Sequence, residues 1–294
     1  MAMRTQSRRR EGAKARRELL FGLVVVLAAC LSTVSTQAPP SRIVSLVPAA
    51  TEMLFAIGAG PRVIAVSSYD HEPPEVDRLP RVGALLDPDL ERILSLRADL
   101  VVAYGTQHEL KQQLARATVP VFAYTHGGLA EVTATIRALG ERTGATVRAA
   151  AVATAIESDL GAIRTKVAGR PRPRTLLVFG REPGTLRNLY ASGGVGFLHD
   201  MLETAGATNV FSEKRESVQA SSETLLAMAP DVIIELHVES DGPVDLSAWQ
   251  TLPALPAVRN NRLIVLMGTD LVTAGPRVAR ATERLARALH PEAF

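Results

Sequence analysis

Cysteine occurs once in the 294 residues, at Cys30. No disulfide can therefore form within the chain, and no cysteine-based zinc cluster can be built. Aromatic residues make up only 4%, with a single tryptophan, Trp249. No apolar run approaches the roughly 18 residues of a membrane span, so a polytopic membrane protein is excluded. Excess positive charge is missing from the body. The first 29 residues hold seven Lys/Arg against two acids, leaving 26 basic and 28 acidic residues from position 30 onward. A phosphate-backbone partner would lack its main driving force, and no nucleic-acid role is expected. Motifs of chemistry are missing too. The six histidines show no HExxH, HxH or i, i+4 pairing; there is no P-loop lysine, no dinucleotide fingerprint and no GxSxG elbow. Absent motifs do not exclude an enzyme, but nothing here argues for one, and no enzymatic activity is expected.

What is present is a globular composition, 47% hydrophobic and 21% charged, long enough for one large domain or two lobes. A basic stretch precedes the eleven-residue run Leu19–Ala29, which reads as the apolar region of a signal peptide over 1–29. Leu27, Ala28, Ala29 and Cys30 then resemble a bacterial lipobox. Cys30 is expected to carry lipid, with a Ser/Thr/Pro-rich tether over 30–41. That places the chain outside the cytoplasm, anchored to a membrane.

The body alternates short apolar β-branched runs at 42–47, 63–67, 100–104, 119–124, 175–180, 232–236 and 263–266 with helical stretches. Several runs are apolar on both faces, which predicts open, mainly parallel sheets covered by helices. Between Thr146 and Val167, residues Val152, Ile156, Leu160, Ile163 and Val167 keep helical spacing, and Gly169, Pro171 and Pro173 follow. A continuous helix here would be about 33 Å long, a rigid strut with little opening motion about it. The two sides of the strut resemble each other. ERILSLRADLVVA from Glu91 and ETLLAMAPDVIIE from Glu223 both place Leu at +3 and Asp at +8. Glu52-Met53-Leu54 with Gly58-Ala59 likewise matches Asp200-Met201-Leu202 with Gly206-Ala207. The expected fold is two similar α/β lobes, 42–144 and 169–294, joined by one long helix over 145–168, with a ligand cleft between them.

Open α/β sheets bind ligands beyond the carboxyl ends of their strands. This makes Tyr69, Tyr104, Arg181, His237 and Asp270 candidate contacts, each also readable as a structural residue with a polar tip. Ser192-Gly193-Gly194-Val195-Gly196, before a helix near Phe197, reads as a tight turn in preference to an anion cradle.

Three stretches, RIVSLVPAATEMLFAIGAG from Arg42, VIAVSSYDHEPPEV and LPRVGALLDPDLERILSLRADLVVA, carry a resemblance that continues through SGGVGFLHDMLETAGATNVF and AGPRVARATERLARAL. They resemble the helical-backbone periplasmic substrate-binding proteins of ABC importers over essentially the whole mature chain. The cobalamin-binding type is closest, with haem and iron-siderophore receptors as near relatives. The resemblance implies a monomer without a resident cofactor, with an ABC permease and ATPase as partners. A corrinoid or another metal chelate would be the cargo. Tyr69 matches a ligand-contacting tyrosine, Asp270 a cleft aspartate, and Glu91 and Glu223 the carboxylates that meet the permease. Tyr190 and Leu85 join the expected ligand contacts. Leu85 and Ser217 stand where cobalamin-binding members tend to carry tryptophans, while Trp249 lies elsewhere. For a haem or ferric-siderophore cargo, Tyr69 or His71 could supply an iron ligand. A periplasmic enzyme on the same scaffold, or a surface interaction protein, would be the rivals.

Overall fold

A computed structural model describes residues 38–238 and 242–294. Cys30, the segment 1–29 and residues 30–37 of the tether lie outside the described residues. The first half alternates strand and helix: β1 (Ile43–Ser45), α1 (Pro48–Ala56), β2 (Val63–Val66), α2 (Leu90–Ser95), β3 (Leu100–Tyr104), α3 (His108–Arg116), β4 (Val121–Tyr124) and α4 (Leu129–Thr143). The strands form one sheet in the order β2-β1-β3-β4, and every pairing is parallel. Alternate residues leave the two faces of this sheet for different cores. Ile43, Leu100 and Val102 point one way, and Val44, Val101 and Ala103 the other.

The strut α5 (Thr146–Val167) comes next, its 22 residues unbroken. Beyond it follow β5 (Arg174–Gly180), β6 (Leu189–Ser192), α6 (Phe197–Thr204), β7 (Thr208–Asn209), β8 (Ser217–Ala220), α7 (Ser222–Met228), β9 (Val232–His237), α8 (Pro256–Arg259), β10 (Leu263–Met267) and α9 (Val278–Leu289). The second sheet runs β10-β9-β5-β6-β8, with β7 also paired to β5. Its β10–β9, β9–β5 and β5–β7 pairings are parallel, but β6 is antiparallel to both β5 and β8. The seven expected strands are all present. The three unforeseen ones, β6, β7 and β8, are short and partly polar, so they carry no apolar run to announce them.

Buried residues of α5 are Ala149, Ala153, Ile156, Leu160, Ile163 and Val167, while Val152 is only half-buried. Alanine at two of these positions lets a neighbour approach closely. A Cβ on Gly140 of α4 would lie 2.2 Å from that of Ala149, so glycine is required at this crossing. The stripe belongs to a core cluster that reaches from Ile43, Leu100 and Val102 of the first sheet to Leu177, Val232 and Ile234 of the second. The strut is therefore buried in an apolar core common to both halves. Each sheet also has its own outer core, one under α2 and α3 and one around Trp249.

The sequence repeat has a structural cause. Asp99 accepts hydrogen bonds from the Ser41 and Arg42 amides (2.8 Å each), and Arg42 Nη2 donates to the Leu96 carbonyl (2.8 Å). In the second half, Asp231 accepts from the Arg174 amide (3.1 Å) and Arg174 Nη2 donates to the Met228 carbonyl (2.7 Å). Each Arg–Asp pair ties the helix end and the following strand to the start of the neighbouring strand. The aspartate at +8 is thus a fold determinant.

Candidate functional site

The carboxyl ends of strands from both halves surround a cavity of about 1100 Å³. On one wall the loop after β2 supplies Tyr69, His71 and Glu72, β3 ends in Tyr104, and His126 follows β4. The facing wall is built from Met267 at the end of β10, Gly268, Thr269 and Asp270 after it, then Val272, and then Arg277, Arg280 and Arg284 around α9. Tyr69 is 70% exposed. Tyr104 stacks on His126 with ring centres 5.7 Å apart, and Tyr124 meets both rings edge-on at 5.8 and 5.2 Å. Partial desolvation of the His126 ring holds its pKa below the usual histidine value, which favours the neutral imidazole.

The charges of the cleft largely compensate one another. Arg277 grips Glu52 of α1 through two hydrogen bonds of 2.8 and 2.7 Å, crossing from one half to the other, and stands 3.9 Å from Glu72. Burial raises the pKa of Glu52 against the pull of Arg277. Arg284 donates to Asp270 Oδ1 at 2.8 Å. Arg280 comes only within 3.8 Å of Asp270 Oδ2, and its side chain is 74% exposed. Asp270 Oδ2 is buried without a hydrogen-bond partner among the described residues. Asp70, fully buried between Tyr69 and His71, accepts the Ser67 amide at 2.9 Å on Oδ2, while its Oδ1 likewise lacks a partner. Burial pushes the Asp70 pKa up to about 7.

Of the residues expected at the ligand, Tyr69, Tyr104 and Asp270 line this cavity. The others stand elsewhere. Arg181 is committed to a buried ion pair with Glu235 (2.7 Å) and also donates to the Glu182, Thr185 and Asp245 carbonyls. His237 bonds the same carboxylate at 2.9 Å and lines, with Arg181, a neighbouring cavity of about 370 Å³. Trp249 Nε1 donates to Glu235 at 2.6 Å, which explains why the tryptophan is wholly buried. Burial works to raise the pKa of Glu235, but the bonds from Arg181, His237 and Trp249 outweigh it and hold the carboxyl low. Leu85 is exposed, with its carbonyl taken by Gln107, and Tyr190 lies on β6, 6.5 Å from Phe179. Ser217 lines an apolar side pocket of about 270 Å³ that shares His126 and Val272 with the cleft.

The glycine run is a turn. Gly193 and Gly194 amides donate to the Glu216 and Glu213 carbonyls at 3.0 and 2.8 Å, and a Cβ on either glycine would collide with the backbone of Arg215 or Ser212. Glu91 and Glu223 are both exposed in the first turns of α2 and α7. Sequence reasoning overlooked His126, Glu52 and the three arginines. Arg277, Arg280 and Arg284 do follow one another at i, i+3 and i+7, the spacing of one helix face.

The periplasmic binding protein family model matches residues 43–268. The chain is 29% identical to an ABC transporter substrate-binding lipoprotein, YvrC, of Bacillus subtilis, over 89% of this chain and 83% of that protein. It is 30% identical to a vitamin B12-binding protein of Salmonella typhimurium, over 92% of this chain and 97% of the relative. Its fold matches the apo form of the periplasmic haem-binding protein RhuT from Roseiflexus sp. RS-1, with a TM-score of 0.73 at 27% identity, covering 86% of this chain and 99% of that one. A two-lobed α/β architecture with its cavity at the strand ends, matched by that model across both sheets, makes this chain a member of the periplasmic binding protein family of ABC transporter solute receptors.

Proposed function

We propose that this protein captures a corrinoid in the cleft between its two sheets and hands it to an ABC permease. The observation that carries the ligand class is the charge balance of the cleft. Arg277 and Arg284 are already matched by Glu52 and Asp270, which leaves Arg280 as the lining arginine without a close ion pair among the described residues. A polyanionic chelate would need several unmatched cations. A corrinoid such as cobalamin, with an amide-rich periphery and one phosphodiester, needs a single cation. Tyr69 and the stacked Tyr104–His126 pair offer flat faces to the macrocycle. The B12-binding relative points the same way.

A haem cargo is the second reading. Tyr69, His71 and a neutral His126 on one wall are all competent iron ligands, and the haem-binding structure is nearly as similar. Absorption titrations with cyanocobalamin and with haemin separate the two. The proposal expects saturable binding of cyanocobalamin, weakened by about 1 to 3 kcal/mol in Tyr69→Ala. Binding of haemin alone would transfer the site to the second reading, and binding of neither would remove the tetrapyrrole class.

For delivery, Glu91 and Glu223 would meet permease arginines in paired hydrogen bonds. Glu91→Ala with Glu223→Ala is expected to abolish ligand-stimulated ATPase in the reconstituted transporter while ligand affinity stays intact. Cys30 would hold the protein at the membrane through its acyl chains. Cys30→Ser should release it or leave its precursor uncleaved, and an unchanged mature mass together with an unchanged membrane fraction would refute the anchor.

A further inference from the structure

One corner of the cleft gathers polar groups that bind nothing within the protein. Tyr104 and His126 line the cavity on the side of the first half. Neither the Tyr104 hydroxyl nor a ring nitrogen of His126 takes part in a hydrogen bond among the described residues. Tyr124, edge-on to both rings, is only 3% exposed, and its hydroxyl likewise has no hydrogen-bond partner among the described residues. A tyrosine hydroxyl shielded from water ordinarily finds one.

The corner has donors and acceptors but no charge of its own. Burial, and then the charge of Asp70, push the pKa of Tyr104 up, and burial, then Tyr104 and Glu216, do the same for Tyr124. Both phenols therefore stay protonated beside a neutral imidazole. The side pocket that shares His126 is lined by Glu216, and the cleft wall beside Tyr104 by Glu72. Every lysine or arginine lining either cavity, namely Arg277, Arg280 and Arg284, stands around α9 on the facing wall. Arg81 and Lys111 of the first half donate to the carbonyls of Ser67, Asp70 and Gly105 and line neither cavity.

A carboxylate brought to this corner gives up water without meeting a cation, and it is repelled by Glu216. A carboxamide finds a complete set of partners. Its oxygen accepts from a phenol or from the imidazole N–H, and its NH2 donates to a phenol oxygen or to the bare imidazole nitrogen. Rings that lie along a macrocycle also turn their polar atoms toward its rim, where side chains project. We infer that the Tyr104–Tyr124–His126 corner is a specificity site for carboxamides, which admits a corrinoid amidated at the rim and rejects one that carries a free carboxylate there. This inference rests on the corrinoid reading above and narrows it. The arginine side of the cleft receives the phosphodiester, while the aromatic corner selects for amidation.

Calorimetric titrations of the full-length protein test this at about pH 7.5, where a carboxyl group of ordinary pKa is ionised. They compare cyanocobalamin with its monocarboxylic acids, in which one propionamide at a time has been hydrolysed. At least one isomer, but not all, should bind about tenfold or more weakly than cyanocobalamin. Tyr104→Phe deletes a hydroxyl with no protein partner, so it should keep the wild-type melting temperature. It should bind cyanocobalamin about fivefold more weakly and leave the affinity of the rejected isomer unchanged. His126→Lys supplies the missing cation and should bring that isomer to within about threefold of cyanocobalamin. Isomers that all bind alike, whether as well as cyanocobalamin or uniformly more weakly, overturn the inference and leave the corrinoid reading standing. A rejection that survives unchanged in both variants does the same. Failure of the wild-type protein to bind cyanocobalamin overturns the corrinoid reading and this inference with it.

Discussion

Glu52 in α1 and Asp200 in α6 hold equivalent places in the two halves, and each reaches across to the other half. Glu52 takes Arg277, just before α9, and Asp200 takes the amide of Leu129, the first residue of α4 (2.9 Å). Leu129 and Arg277 are separated by the same interval as Glu52 and Asp200. The molecule therefore has two straps related by its internal repeat, made with different chemistry. The Asp200 strap caps a helix start, in a groove that shares no lining residue with the cleft. The Glu52 strap replaces the backbone donor with a guanidinium that also lines the cleft. One copy is a structural cap, while the other combines holding the halves together with lining the cavity.

The largest expected effect comes from removing the cation of the cleft strap. Arg277→Met leaves Glu52 buried without its partner and should cost about 3 to 5 kcal/mol in urea unfolding at pH 8. The loss should shrink in acid, because burial already raises the pKa of Glu52 and protonation removes the stranded charge. A cost below about 1 kcal/mol would mean that the two straps are energetically alike.

Asp70 tests whether the cleft side of the first half carries strain. With its pKa raised from 3.8 to about 7, the folded protein keeps a proton that the unfolded chain gives up. The stability of the neutral form is fully present below about pH 4 and is lost as pH rises through about 7, a span of at most about 4 kcal/mol. Asp70→Asn keeps an acceptor for the Ser67 amide and should be more stable than wild type at pH 8 by about 2 to 4 kcal/mol, with the gap closing near pH 4. A gap independent of pH would show that Asp70 is ionised at no net cost.

The smallest effect belongs to the cap. Asp200→Ala should cost about 1 kcal/mol, typical of a lost helix-start acceptor, and leave titration with cyanocobalamin or haemin unchanged. Weakened binding in this variant would show that the two straps are coupled through α4 and α9.

The sequence made the repeated framework legible, because repetition leaves the same residues at fixed intervals. The seven apolar strands, the strut and the Glu–Leu–Asp register could all be read in this way. Strands β6 to β8 could not, since they are short and partly polar and carry no apolar run. Within the site, residues attached to strand ends were visible, as Tyr69, Tyr104 and Asp270 illustrate. Arg181 follows β5 and His237 ends β9, yet both turn to Glu235, the lone acid of VIIELH, and only the fold brings Arg181 and Trp249 to that carboxylate. The arginines near α9 lie far along the chain from Glu52, and only the fold brings them together.

The apolar core that runs unbroken from one sheet through the strut to the other also bears on how cargo leaves. A receptor that swings on a loose joint can shed its load by spontaneous opening, so its dwell time is partly a property of the joint. Here the two halves cannot part without drawing apolar surface of α5 into water. Under the proposed carrier role, residence time would follow the cargo's own contacts, and faster unloading would require work done on the two halves from outside.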